Sequence, residues 1–143
     1  MQKTICLLEL AGEGPGFHFE YHRYGPYCED VARATHLATD EKIIKEEIKT
    51  ADWGGEYSVY TVQEPCTESD TTRAHLAHEA ANVDAVVLEL AATAAFLKKE
   101  GVSTPWEETA LRKPGKADNG RLEQARDFYQ KLRDIAPALP EMS

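Results

Sequence analysis

Hydrophobic and polar residues alternate in two parts of the N-terminal half. Aromatic residues occupy every second position from Phe17 to Tyr21, which is the period of a half-buried strand. Two further strands are predicted over residues 44–48 and 57–62, and the Gly54-Gly55 pair between them suits the positive backbone angles of a tight reversal. This half of the chain is therefore predicted to contain a strand and a β-hairpin.

Apolar residues elsewhere recur every three to four positions, the period of a helix. This spacing predicts helices over residues 2–11 and 29–38. The helical pattern resumes at Thr71 or Thr72, and its apolar stripe runs from Leu76 to Leu97. Pro105, preceded by Thr104, predicts the start of a short helix that ends before Pro114. A last helix is predicted over residues 122–135.

These elements predict an α+β fold that is mostly helical. The strand, turn, helix and hairpin of residues 1–64 have the outline of a winged helix-turn-helix, with the β-hairpin as its wing. The polar segment 65–70 links this winged-helix-like N-terminal half to a C-terminal helical subdomain, residues 65–143. We expect the two parts to pack as one compact domain, because 143 residues is an ordinary length for a single core.

Composition narrows the kinds of function. The formal net charge of −9 disfavours nucleic acid, whose binding depends on Lys and Arg, and it favours a basic protein partner or simple solubility. The three cysteines are widely spaced and form no Cys-x-x-Cys pair, so neither a disulfide framework nor a zinc site is predicted. No apolar run approaches the roughly 18 residues of a membrane span. We expect a cytoplasmic protein that does not enter a membrane.

The chain has few residues that could carry catalysis. Cys28 stands at a predicted helix N-terminus, where the dipole favours a reactive thiol, but His36 lies more than two helical turns away. The glycine-rich segment 12–16 has no strand immediately before it and no helix after it, so it is not a nucleotide-binding loop. We therefore expect no enzyme, no catalytic residue, no metal site and no cofactor.

Aromatic residues concentrate around the first turn and the hairpin. They are Tyr21, Tyr24, Tyr27, Trp53, Tyr57 and Tyr60. One interpretation places the rings in the core under a small three-stranded sheet, and the other exposes them with Arg23 as a protein-binding surface, since Tyr, Trp and Arg dominate interface hot spots. The candidate partner-binding residues are Trp53 at the hairpin tip, Tyr57, Arg23, Tyr24 and Tyr27. Of these, Tyr24 and Tyr27 are expected to be more architectural than direct.

One local cluster is basic. It surrounds Pro114-Gly115 and consists of Arg112, Lys113, Lys116 and Arg121. Such a cluster commonly caps helix ends and solvates a loop, but it is also suited to an acidic partner segment or to nucleic acid.

The motifs of this chain resemble those of the Panacea superfamily of SocA-like antitoxins and the related YwgA-like proteins. The resemblance rests on residues 2–8, Phe17-x-Phe19, Tyr24-Gly25-Pro26-Tyr27 and the Gly-Gly-x-Tyr hairpin, and it extends to residues 88–94, 106–108 and 112–114. The Tyr-Gly-Pro-Tyr turn is the most diagnostic of these. The resemblance implies a small helical domain with a winged-helix-like centre that binds another protein, as a toxin-neutralising antitoxin or as a proteolysis adaptor.

The alternative function is that of a winged-helix DNA-binding transcription regulator. The helix over residues 29–38 would then enter the major groove and the hairpin would follow the phosphates. However, this helix begins with Glu29 and Asp30, and the wing carries Glu46 and Glu47. Such a surface is expected to repel DNA.

The resemblance also predicts an association with another chain. Resembling proteins generally have a further helix before the stretch that matches residues 2–10. Either the start codon lies downstream of the usual one, or a partner chain supplies that packing surface. An exposed face with Ile5 and Leu8 would then favour a homodimer or an obligate complex with another protein.

Overall fold

The computed structural model describes residues 1–52, 54–62 and 71–142. It confirms an α+β fold that is 55% helical, with two small antiparallel sheets. The elements in chain order are α1 (Gln2–Leu10), β1 (Glu20–His22), β2 (Gly25–Tyr27), α2 (Glu29–Asp40), β3 (Ile44–Thr50), β4 (Glu56–Val62), α3 (Thr72–Ala81), α4 (Ala85–Lys99), α5 (Pro105–Arg112), α6 (Pro114–Ala117) and α7 (Arg121–Ile135). Within the described ranges, no helix has both the length and the hydrophobicity needed to cross a bilayer.

Helix α4 lies at the centre of the fold. Its residues are buried almost all round, and helices α1, α5 and α7 pack against it. Four alanines, at positions 91, 92, 94 and 95, give α4 a thin profile, which lets neighbouring helices approach closely. A helix that is apolar on every side is typically buried, and α4 fits that rule.

The apolar stripe predicted between Leu76 and Leu97 is carried by two helices, α3 and α4. The side chain of Asp84 accepts hydrogen bonds from the backbone N–H groups of Val86 (3.0 Å) and Val87 (3.2 Å) and so caps the N-terminus of α4. The start of α4 as a separate helix therefore depends on a capping carboxylate. The spacing of hydrophobic residues does not reveal such a cap.

The interpretation that places the aromatic rings under a small three-stranded sheet is wrong. Within the described residues, strand β1 pairs with β2 alone, so that Tyr21 lies opposite Pro26. Strand β3 pairs with β4, so that Ile44 lies opposite Val62. The chain reverses directly after His22, and β1 is therefore paired with the residues that follow the turn. The β3–β4 hairpin remains a separate sheet.

The hairpin projects from the helical body. All of β3 except Ile44 is exposed, and in β4 only Val59 and Tyr60 are half-buried. Tyr57 is exposed. Tyr57 and Tyr60 of the hairpin therefore do not form part of a core under a shared sheet.

The largest apolar core combines residues from both predicted halves. Leu7 and Leu8 of α1 pack in one cluster with Leu90 of α4 and Leu132 of α7. The prediction that Leu8 would be exposed is wrong, since only 6% of its surface is accessible. Helix α1 packs on α4 of the same chain, so the apolar face of α1 is already covered.

Candidate functional site

The Tyr24–Tyr27 turn lies directly against α4. Gly25 has a φ of +100°, and a Cβ atom at this position would lie 2.8 Å from Oγ1 of Thr93. Only glycine combines such a backbone angle with so close an approach. Pro26 is fully buried, whereas 52% of Tyr24 is exposed. The middle of the turn is therefore architectural, and Tyr24 faces solvent at its edge.

A side-chain amide holds the end of this turn to α1. Gln2 donates from Nε2 to the carbonyl of Cys28 (3.1 Å), and its Oε1 accepts a hydrogen bond from the backbone N–H of Cys28 (3.0 Å). Cys28 is the N-cap residue of α2 and its side chain is buried. The paired hydrogen bonds fix the start of α2 relative to the N-terminal helix.

A buried carboxylate joins the turn to the C-terminal helices. Glu89 of α4 accepts hydrogen bonds from Nζ of Lys113 at Oε1 (3.0 Å) and from Nζ of Lys116 at Oε2 (2.6 Å). Lys113 also donates to the backbone carbonyl of Arg23 (3.4 Å). Both Glu89 and Lys113 are buried. Such a buried charge is stable only when it is paired, so these contacts link the first turn, α4 and α6.

Further positive charge surrounds this carboxylate. Burial lowers the pKa of Lys3; Glu89 raises it, and the cations of Lys113 and Lys116 lower it further. Several ammonium groups thus compete for one carboxylate.

A cleft of about 440 Å³ opens beside this group, and we call it the basic cleft. It is lined by Arg23, Tyr24, Val86, Arg112, Lys113, Pro114, Gly115, Lys116 and Arg121. None of these lining residues, all from the described part of the chain, is acidic. The Arg23 guanidinium lies 5.5 Å from the centre of the Tyr24 ring, and Nζ of Lys116 lies 5.3 Å from it. Both cations therefore lie beside the same aromatic ring of the cleft wall.

Two neighbouring clefts extend this concave surface to the hairpin. One, of about 440 Å³, lies between the hairpin tip and α4 and shares Val86, Lys116 and Arg121 with the basic cleft. The other, of about 400 Å³, shares Tyr24 and Lys116 with it. Tyr57 lines both neighbouring clefts. Three of the five candidate residues, namely Arg23, Tyr24 and Tyr57, thus border one continuous surface.

The other two candidates do not join this arrangement. Tyr27 lines a different cleft, where its ring stacks on His22 with 4.6 Å between ring centres. Its hydroxyl donates to Oε2 of Glu29 (3.0 Å), and this hydrogen bond raises the pKa of Tyr27. Trp53 lies outside the described residues.

Glu89 is the central residue that pattern reasoning missed. It lies within residues 88–94, a stretch to which the resemblance extends. Its signal was nevertheless present, because it is the single charged residue between Val86 and Leu97, where all other positions but Thr93 are apolar. A carboxylate in the middle of a buried apolar stripe requires a cationic partner. The basic cluster at residues 112–121 is a source of such a partner.

The chemistry available here is binding. Arginine and lysine side chains beside an aromatic ring can hold carboxylates and other anions. Within the described ranges, no three or more His, Cys, Asp or Glu side chains are grouped so that they could hold a metal ion. No family model matches this chain, and no curated protein or solved structure is similar to it at a significant level.

Proposed function

We propose that this chain is a non-enzymatic, cytoplasmic protein-interaction module of the Panacea type, which binds and neutralises a toxin or acts as an adaptor for a protease-related partner. The observation that supports this proposal is the exposed β3–β4 hairpin. A lone two-stranded hairpin is only marginally stable in water, and in the described part of the chain the outer edges of β3 and β4 pair with no further strand. A strand from a partner would pair with one of these edges by β-augmentation.

The hairpin also offers apolar contacts to such a strand. Ile48 is 66% exposed and Val62 is 61% exposed. The register pairs Ile44 with Val62 and Ile48 with Ser58, which puts both exposed side chains on one face. Burying an isoleucine of this kind contributes roughly 2 kcal/mol. The hairpin thus combines hydrogen-bonding edges with hydrophobic anchors.

In this proposal α2 and the hairpin correspond to the winged-helix-like centre of the resembling proteins. The charge of this region gives little support to the DNA-binding alternative. Glu29 and Asp30 occupy the first turn of α2, and Arg33 is paired with Asp30 at 3.5 Å. DNA binding requires cations that neutralise phosphates, and a protein partner fits this acidic surface better.

The test begins with the isolation of a partner. The tagged full chain is used to capture proteins from its source cells, and the captured protein is purified and titrated by calorimetry against wild type, Ile48→Glu and Leu111→Glu. Leu111 is 77% exposed on α5, so it is a matched control on another element. We expect Ile48→Glu to weaken binding at least about tenfold, a loss of ~1.4 kcal/mol, and Leu111→Glu to leave the affinity unchanged.

Neutralisation is tested separately in growing cells. The captured protein should inhibit growth when it is produced alone and should cease to do so when this chain is co-produced. A harmless partner would refute the antitoxin function, although an adaptor could still bind it. Equal affinity of the partner for wild type, Ile48→Glu and Leu111→Glu would show that the binding surface is not on the hairpin. Recovery of DNA without protein would support the regulator, and light scattering of the purified chain would report a homodimer.

A further inference from the structure

The basic cleft carries a charge opposite to that of the whole molecule. The chain has a net charge of −9, yet five of the residues that line this cleft are cationic. Two carboxylates neutralise part of this charge: Glu89 pairs with Lys113 and Lys116, and Glu108 pairs with Arg112 at 2.7 Å. The lining residues therefore carry more positive charge than these two carboxylates neutralise.

Two arginines of the lining are available to a ligand. Neither Arg23 nor Arg121 forms an ion pair with a carboxylate in the described part of the chain. Arg121 is the first residue of α7, and Arg23 lies in the β1–β2 turn, whose backbone is held by Lys113. Guanidinium groups bind carboxylates through two parallel hydrogen bonds. The cleft thus places two unpaired guanidinium groups on a fixed scaffold.

The position of the cleft favours a protein segment. It adjoins the cleft under the hairpin tip through Val86 and Arg121, so a chain that docks on the hairpin reaches it without a large detour. Val86, Pro114 and the Tyr24 ring supply apolar surface for the stems of acidic side chains. A long nucleic acid would instead meet the acidic remainder of the surface.

We propose that the basic cleft binds Asp or Glu side chains of an acidic segment of the protein partner, with Arg23 and Arg121 as the cations that recognise them. The inference rests on the proposed function, because it specifies the chemistry of the partner. It assigns the C-terminal basic cluster a role in recognition rather than in solvation.

The direct test uses a defined probe. A short fluorescein-labelled peptide of alternating Glu and Ser is titrated at low salt, by fluorescence anisotropy, with wild type and with Arg23→Gln/Arg121→Gln. The charge-matched control is Arg73→Gln/Lys99→Gln, which changes two exposed cations that do not line the cleft. We expect the first double variant to weaken binding at least about tenfold and the control to stay within about twofold. A peptide of Gln and Ser should not bind.

Three results would overturn the inference. The first is equal weakening by the two charge-matched variants, which would indicate a nonspecific charge effect. The second is equal binding of the Gln and Glu peptides. The third is a DNA duplex or inorganic phosphate that binds more tightly than the peptide with the same dependence on Arg23 and Arg121. Circular dichroism spectra confirm that each variant is folded.

The captured partner separates this inference from the proposed function. If the partner binds but its affinity does not respond to Arg23→Gln/Arg121→Gln, the proposed function stands and the inference fails. If no partner is captured while the Glu peptide binds with the expected dependence, the proposed function fails and the cleft remains a site for acidic segments. If neither binds, both fail.

Discussion

Replacing Gly25 with alanine should destabilise the protein through two separable effects. The first is the backbone, because a φ of +100° lies in a region that L-residues rarely adopt. The second is a steric conflict with Oγ1 of Thr93, 2.8 Å from the new Cβ. Thr93 is fully buried on α4, so its side chain cannot move into solvent to relieve the contact.

The magnitude follows from these two contributions. A residue held in a disfavoured backbone region costs about 1–3 kcal/mol, and overpacking of a closely packed site costs about 1–3 kcal/mol. The sum, roughly 2–6 kcal/mol, is a large part of the 5–15 kcal/mol that stabilises an ordinary domain. With a urea dependence of about 2 kcal/mol per molar, a loss of ~3 kcal/mol lowers the unfolding midpoint by about 1.5 M.

Urea unfolding followed by circular dichroism separates the two contributions. Gly101 has a similar φ of +94° with nothing within 4 Å of a built Cβ, so Gly101→Ala reports the backbone effect alone. Thr93→Ala removes the conflicting oxygen. We expect its effect on the free energy of unfolding to be at least about 1 kcal/mol more favourable in the Gly25→Ala background than in the wild type. The reasoning is refuted if Gly25→Ala costs no more than Gly101→Ala, or if the two substitutions at positions 25 and 93 are additive.

Three further predictions concern buried ionisable groups. Glu89→Gln should destabilise the fold by about 3–5 kcal/mol because it leaves Lys113 buried without its carboxylate; Glu89→Leu with Lys113→Met should recover part of this loss in the same urea assay. Burial raises the pKa of Cys6 from 9.0 to about 12, so the folded state keeps a proton that the unfolded chain loses. Stability is therefore lost as pH rises from 9.0 towards 12, by at most about 4 kcal/mol, and Cys6→Ala should flatten this loss in unfolding measured against pH. In a Cys66→Ser variant, Cys6 and Cys28 are both buried and should react with Ellman's reagent only slowly until urea unfolds the protein; rapid native labelling would contradict their burial.

Several helix ends were predictable because their signals are local, although the break between α3 and α4 was not. Pro105 stands at the first turn of α5, which ends at Arg112 before Pro114 as the pattern indicated, and Thr71 caps α3 through a hydrogen bond from the N–H of Ala74. Strand partners were not predictable in the same way. Alternation shows that a segment has two faces, but it does not show which segment pairs with it. For this reason the single expected sheet divides into two.

The candidate site was only half predictable for a related reason. Residue type identified Arg23, Tyr24 and the basic cluster as binding candidates, each in its own part of the chain. Lys113 is ninety residues from Arg23, and no local pattern brings them together. Their meeting depends on α4, which packs against both the first turn and the C-terminal helices.

The contacts that stabilise this junction also prepare it for binding. Lys113 donates to Glu89 and to the carbonyl of Arg23, so the backbone that carries the Arg23 side chain is held to α4 before any ligand arrives. A guanidinium on a fixed backbone loses less conformational entropy on binding than one on a free loop. The buried Glu89–Lys113 ion pair is costly to form compared with an apolar pair. Because this ion pair positions the backbone of Arg23, it gives a physical reason for a charge at position 89. The stability of the core and the affinity of the cleft are therefore coupled through one lysine.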